Sequence, residues 1–254
     1  MLYHHGKENS VMKDSIFTVL ENKKIAKNTY ECTLAGDISD ITAPGQFVNI
    51  KLDGFYLRRP ISVCDAVDGV LTLIYKVVGH GTEKMANTGA GAEWLTLTGL
   101  GNGYDTSCSG ERPLLIGGGA GVPPMYMLCK RLIEQGKKPA VILGFGSADE
   151  IFYKEEFEAL GARVLVTTVD GTAGIRGFVT DAMGEVDYTY FYTCGPEPML
   201  KAIYDKSTTS GQFSFEERMG CGFGACMGCS CQTKYGNKRI CRDGPVLVKE
   251  EIIW

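Results

Sequence analysis

A β-barrel joined to a doubly wound α/β domain, with a small cysteine-rich module at the C-terminal end, is the fold the sequence predicts. Three observations carry it. Short apolar runs broken by turn residues fill the chain up to about residue 100, strand and helix patterns alternate from Arg112 onward, and cysteines crowd between Cys221 and Cys241. Short strands at close spacing argue for an antiparallel barrel or sandwich. Strands alternating with helices argue for a parallel, doubly wound sheet. The expected divisions are 1–108, 109–212 and 213–254.

In the first region the strand-like runs are residues 16–20, 29–34, 47–52, 70–78 and 94–98, separated by Gly36-Asp37, Pro44-Gly45, Asp53-Gly54 and Asp68-Gly69. A short helix is expected over residues 83–85. Three spots carry chemistry. Arg58-Arg59-Pro60-Ile61-Ser62 reads as the end of a strand, where guanidinium groups suit a diphosphate and Ser62 suits a flavin ring. Ile74, Tyr75 and Lys76 alternate along a strand, and Gly79-His80-Gly81-Thr82 opens a helix whose N–H groups suit phosphate. The plain alternatives are surface arginines, a core tyrosine and a tight turn.

In the second region residues 113–116 read as a buried strand, 117–121 as a glycine loop and 122–134 as a helix. Strand 140–145, helix 153–160, strands 163–168 and 188–193 and helix 198–205 follow. Ligands of such sheets bind beyond the carboxyl ends of the strands. That singles out the glycine loop and the loop Cys194-Gly195-Pro196-Glu197-Pro198-Met199. The glycine loop departs from G-x-G-x-x-G, with Pro124 or Val122 at the third glycine, and by itself is a weak signal. Asp149-Glu150 with no arginine cluster nearby leans toward NAD over NADP. Cys194 reads equally as a nicotinamide neighbour and as a small buried hydrophobe.

The sharpest signal is Cys221, Cys226 and Cys229 at C-x4-C-x2-C, followed by Cys231 and Cys241. This is the plant-type spacing for four thiolates around a [2Fe–2S] cluster. Gly220, Gly222, Gly224 and Gly228 admit positive φ, and small Ala225 lets amide N–H groups approach sulfur. Residues 230–233 read as a strand leaving the loop, 235–237 as a turn and 238–241 as the returning strand. Such a hairpin favours Cys241 as fourth ligand, with Cys231 a formal competitor. Zinc sites usually pair two short spacings, and His4, His5 and His80 are distant in sequence. Disulfides need an oxidising compartment.

Composition narrows the partners. Net charge is −4 with no basic block, which disfavours nucleic acid or an anionic membrane. No apolar run approaches the ~20 residues of a membrane span. Residues 1–10 lack the apolar core of a secretion signal. With ten cysteines, a reducing cytoplasmic location is expected.

Pro44-Gly45-Gln46-Phe47, Arg59-Pro60-Ile61-Ser62, Gly117-Gly118-Gly119-Ala120-Gly121-Val122-Pro123-Pro124 and Cys194-Gly195-Pro196 together resemble the ferredoxin reductase superfamily. That family joins a flavin-binding barrel to a nicotinamide-binding α/β domain. Adding Cys221, Cys226, Cys229 and Cys241, with Arg242-Asp243-Gly244-Pro245-Val246 after the last, makes the chain similar to the family of electron-transfer subunits of NAD-dependent (class 1B) dihydroorotate dehydrogenases. The resemblance runs from about Ser15 to the C-terminal end.

The resemblance implies FAD contacts from Arg59, Pro60, Ile61, Ser62, Ile74, Tyr75, Lys76, Gly81 and Thr82. It implies a nicotinamide site at Gly119, Gly121, Cys194 and Gly195, and a [2Fe–2S] cluster on Cys221, Cys226, Cys229 and Cys241. Ile61 stands where many members of the wider superfamily carry an aromatic residue. No acid–base residue is expected to be catalytic, because the cofactors carry the chemistry. The implied role is to pass electrons from the FMN of a separate (β/α)8-barrel catalytic subunit through the cluster and FAD to NAD+ in pyrimidine biosynthesis. The implied assembly is α2β2, with the partner docking near residues 215–254. Alternatives are a reductase subunit serving ferredoxin, a hydrogenase or a sulfide-linked complex, a redox-sensing regulator, and a zinc-stabilised binding module.

Overall fold

Six strands close the first part of the chain into an antiparallel barrel in this computed structural model, which describes residues 12–254; His4 and His5 lie outside the described residues. They are β1 (Lys13–Ala26), β2 (Thr29–Ala35), β3 (Phe47–Ile50), β4 (Arg59–Val67), β5 (Val70–Lys76) and β6 (Glu93–Leu100), in the order β1-β2-β5-β4-β3-β6. Alternation of side chains explains the closure. Phe17 and Val19, Cys32 and Leu34, Val48 and Ile50, and Leu71 and Leu73 all enter one core. Burying each larger one contributes about 1.5–3 kcal/mol. Helix α1 (His80–Ala86) adds Met85 to the same core.

One expectation changes here. Residues 58–62 do not end a strand; β4 begins at Arg59. The chain turns in just before it because Arg58 is held by both carboxylate oxygens of Asp14, at 2.6 and 2.9 Å. Pro60 can then sit at the start of the strand, where its missing N–H is tolerated.

The α/β half contains β7 (Pro113–Gly118), α2 (Pro123–Glu134), β8 (Ala140–Phe145), α3 (Lys154–Ala159), β9 (Arg163–Thr168), β10 (Ile175–Arg176), α4 (Val179–Ala182), β11 (Tyr190–Cys194), α5 (Glu197–Lys206) and β12 (Gly211–Ser214). Leu115, Val141, Leu143 and Tyr192 face α2 and α3, whereas Leu114, Ile116, Ile142 and Phe191 face α4 and α5. Apolar side chains on both faces are what a covered parallel sheet requires. The strand order β10-β9-β8-β7-β11-β12-β15, the last strand being Val246–Val248, reverses between β7 and β11. A ligand crevice therefore opens at the carboxyl ends of those two strands.

The last stretch holds β13 (Ser230–Thr233), β14 (Gly236–Arg239), α6 (Ile240–Asp243) and β15 (Val246–Val248). β15 pairs antiparallel with β12, so the cysteine-rich stretch leaves the sheet at β12 and returns to it at β15. The division expected at 212/213 falls inside β12. Cys241 lies on α6 rather than on the returning strand. The Asp243 carboxylate accepts hydrogen bonds from the Arg239 backbone N–H at 2.9 Å and from its Nε at 3.3 Å, which ends β14 and closes one helical turn. Phe47 and Leu100 of the barrel share a core with Cys229, Ile240, Cys241 and Leu247.

Candidate functional site

At the switch point the two predicted loops meet backbone to backbone. A Cβ on Gly121 would lie 2.1 Å from the Cys194 carbonyl oxygen and 2.6 Å from the Gly195 nitrogen, so only glycine permits the approach. Gly119 has φ +51 and nothing within 4 Å of where its Cβ would be. It opens onto a pocket shared with Ile74, Tyr75, Lys76, Glu150 and Phe152. The chain thus brings the glycine loop of the sheet face to face with β5 of the barrel. Lys76 Nζ and Glu150 Oε2 pair across that boundary at 3.3 Å.

On the barrel, Arg59 lies over the Phe55 ring at 4.6 Å and donates to the Leu57 carbonyl at 2.5 Å. Gly81 is drawn against it, for a Cβ there would stand 1.9 Å from Arg59 Nε. Arg59, Pro60, Ile61 and Ser62 are all half-buried, a surface that water does not fully own. The Thr82 hydroxyl accepts from the Val78 and Gly79 N–H groups at 3.0 and 3.3 Å and donates to the Gly79 carbonyl at 3.0 Å. It shapes the first turn of α1. Tyr75 stacks on Tyr30 at 6.0 Å and donates its hydroxyl to Asn22 at 2.9 Å. Its ring packs in the barrel core, and the residue also lines the pocket at Gly119.

In the cysteine loop the N–H groups of Ala225 and Cys226 point at Cys221 Sγ, at 3.2 and 3.4 Å. Burial opposes ionisation of Cys221, but the N–H groups of Cys226, Phe223 and Ala225 and the Cys226 thiol outweigh it and bring the thiol down to about 6. The Cys241 N–H points at Cys229 Sγ at 3.4 Å. Burial, followed by the neighbouring Cys229 and Cys221, pushes the Cys241 thiol up to about 12. Donors aimed at sulfur fit thiolate ligands. All these cysteines are free thiols. Among the described residues no group of three His, Cys, Asp or Glu side chains is already converged as for a metal ion. Cys231 faces elsewhere, lining a cavity of about 250 Å³ with Glu197, Phe215, Glu217 and Trp254. Burial and Glu217 push its thiol up.

Two residues passed over in the sequence stand close to these loops. Glu216 follows β12, and loss of water on one side pushes its carboxyl up. Its charge is felt by Cys194, whose thiol burial also raises, and by Tyr104, whose hydroxyl donates to the Thr193 carbonyl at 2.9 Å. Asn49 on β3 reaches the Cys221 carbonyl at 3.3 Å. A polar residue interrupting the run Phe47-Val48-Asn49-Ile50 is the signal that could have found it.

Comparison with known proteins fits this geometry. The model of the iron-sulfur cluster binding domain of dihydroorotate dehydrogenase B matches residues 216–253, and that of the oxidoreductase NAD-binding domain matches residues 115–205. The chain is 43% identical to the dihydroorotate dehydrogenase B (NAD(+)) electron transfer subunit of Fusobacterium nucleatum, over 95% of this chain and 99% of that protein. It is 44% identical to the subunit of the same name from Bacillus pumilus, over 95% and 98%. Among solved structures, the NADH-dependent reduced ferredoxin-NADP oxidoreductase studied for flavin-based electron bifurcation superimposes with a TM-score of 0.85 at 30% identity, covering 94% of this chain and 90% of that one. A ferredoxin NADP+ reductase from Neisseria gonorrhoeae, at 17% identity and TM-score 0.67 over 76% of this chain and 90% of its own, shares the fold.

Proposed function

The chain belongs to the family of dihydroorotate dehydrogenase B electron transfer subunits, and on that premise we propose how its residues divide the work. It is an oxidoreductase subunit that transfers electrons to NAD+, uses FAD and a [2Fe–2S] cluster, and serves a separate catalytic subunit. When bound, FAD exchanges a hydride with the nicotinamide and single electrons with the cluster.

In our reading Cys221, Cys226, Cys229 and Cys241 hold the cluster, with N–H groups of the loop tuning the sulfurs. Arg59, Pro60, Ile61, Ser62, Ile74, Tyr75, Lys76, Gly81 and Thr82 hold FAD. Gly119, Gly121, Cys194 and Gly195 receive the nicotinamide. The carrying observation is convergence: β5 shares a pocket with Gly119, while β3 shares a core with Cys229 and Cys241. Both partners of the flavin therefore reach the same barrel. The functional units follow the expected divisions 1–108, 109–212 and 213–254, with β12 shared between the last two. In our reading the compartment is the reducing cytoplasm, which suits ten cysteines that are free thiols. Among the described residues no helix is long and apolar enough to cross a membrane.

The electrons originate from an FMN in the catalytic subunit, within an α2β2 assembly. Exposed Phe223 and Met227 flank exposed Cys226 and offer the partner an apolar contact beside the cluster. The test is an anaerobic pull-down of the tagged chain with the captured protein identified by mass. An FMN protein of (β/α)8-barrel size, and NAD+ reduction by the pair with dihydroorotate, is the expected result. A ferredoxin, hydrogenase or sulfide-handling partner would overturn it.

A further inference from the structure

Asn49 is the polar residue of β3. Val48 and Ile50 fill the barrel, so alternation turns Phe47 and Asn49 to the opposite face. Phe47 there packs with Cys229, Ile240 and Cys241. Asn49 is 1% exposed, and its Nδ2 donates to the Cys221 carbonyl at 3.3 Å. Its Oδ1 has no hydrogen-bond partner among the described residues. Gly222, at φ +81, comes so near that a Cβ would stand 2.3 Å from Asn49 Nδ2. On its other side Asn49 pairs in register with Pro60 of β4. A buried carboxamide with an unmet acceptor is a poor choice for stability alone, since packing would favour an apolar residue.

We propose that Asn49 is a positioning residue for electron transfer between FAD and the [2Fe–2S] cluster. Through the Cys221 carbonyl it fixes the first ligand of the cluster against the strand beside the flavin-contacting strand. It also places an amide dipole next to the cluster loop. The inference rests on the proposed ligand set and on β4 as a flavin contact. Oxidising one dihydroorotate to orotate releases two electrons and two protons. NAD+ takes both electrons and one proton, the other proton goes to water, and the electrons cross the cluster one at a time.

The test uses the holo complex with its catalytic subunit and the variants Asn49→Leu and Asn49→Asp. Leu removes the amide, and Asp keeps its shape but sets a carboxylate against the Cys221 carbonyl. Iron content, FAD content and hydride exchange from NADH to acetylpyridine adenine dinucleotide, which needs only the flavin, should stay unchanged. The electron paramagnetic resonance line shape and midpoint potential of the reduced cluster should shift, and dihydroorotate-to-NAD+ turnover should fall by about 10-fold or more. Wild-type spectrum, potential and turnover in both variants would overturn the role. Should either variant lose cofactor, Asn49→Ala, which removes the amide without adding bulk or charge, decides. Retained iron and FAD with a shifted cluster spectrum and potential support the role; wild-type values, or loss of iron here as well, overturn it. A wild-type chain without iron on its cysteines would instead sink the ligand assignment beneath it.

Discussion

Cys231 and Cys241 carry the same thiol into opposite surroundings. Cys241 has the sulfurs of Cys229 and Cys221 beside it, whereas Cys231 has Glu217, Lys238 and Glu251. Cys231→Ser should keep full iron content and visible absorption, and Cys241→Ser should lose both; equal loss in the two would refute the choice of ligand. Glu216 yields a pH prediction. Glu216 is exposed on its outer side, yet crowding on the other side raises its folded-state pKa above the ordinary 4.5, so its protonated form favours folding by a small, water-screened amount and the benefit fades as pH rises through the folded value. Glu216→Gln removes that loss, so its melting temperature should gain on wild type between pH 4 and pH 7. A constant difference across that range would show that Glu216 keeps its solvent-exposed pKa. At this scale legibility followed spacing. The cysteines announced themselves by interval, whereas Asn49 and Glu216 matter through what folds onto them from Cys221 and Cys194, which no local pattern encodes.

Elements were legible where periodicity ran long enough. Strands 140–145 and 163–168 appear as β8 and β9 with the expected ends, because a buried run bounded by turn residues has little other choice. β15 and α4 escaped notice because three or four residues cannot display a period; their state is set by the neighbours they pair with. The Cys241 hairpin was foreseen in outline, but its return strand ends early because Asp243 captures the Arg239 N–H. The contact between the glycine loop and the Cys194-Gly195 loop gives an element-scale prediction. Gly121→Ala pushes a methyl group to within 2.1 Å of the Cys194 carbonyl oxygen and must part the loops. Overpacking of this kind costs about 1–3 kcal/mol, so KM for NADH should rise roughly 10-fold with FAD and iron content intact. An unchanged KM would mean that the nicotinamide enters elsewhere.

For the whole molecule, the interleaving of cores matters more than the division into units. The cysteine-rich stretch is anchored at both ends in one sheet, through β12 and β15. Its side chains complete a core begun by Phe47 and Leu100 of the barrel. Asn102, just after β6, fixes the join: its Nδ2 donates to the Val246 carbonyl at 2.7 Å, and its Oδ1 accepts from the Val246 N–H at 3.0 Å. A chain stitched in this way should unfold as one cooperative unit, with flavin release and loss of cluster absorbance at the same temperature. Because a bound group stabilises only the folded state, stripping the iron should lower the temperature of flavin release together with that of global unfolding followed by circular dichroism. Asn102→Ala, which leaves the Val246 groups without those partners, should cost about 1–3 kcal/mol, and each kcal/mol should lower the melting temperature by roughly 2–4 °C in a chain this long. Flavin release monitored by fluorescence is the discriminating signal. If it holds its temperature after iron removal while the cluster loop melts alone, the barrel and the loop are energetically separate. Electron transfer would then depend on transient docking rather than on a fixed geometry.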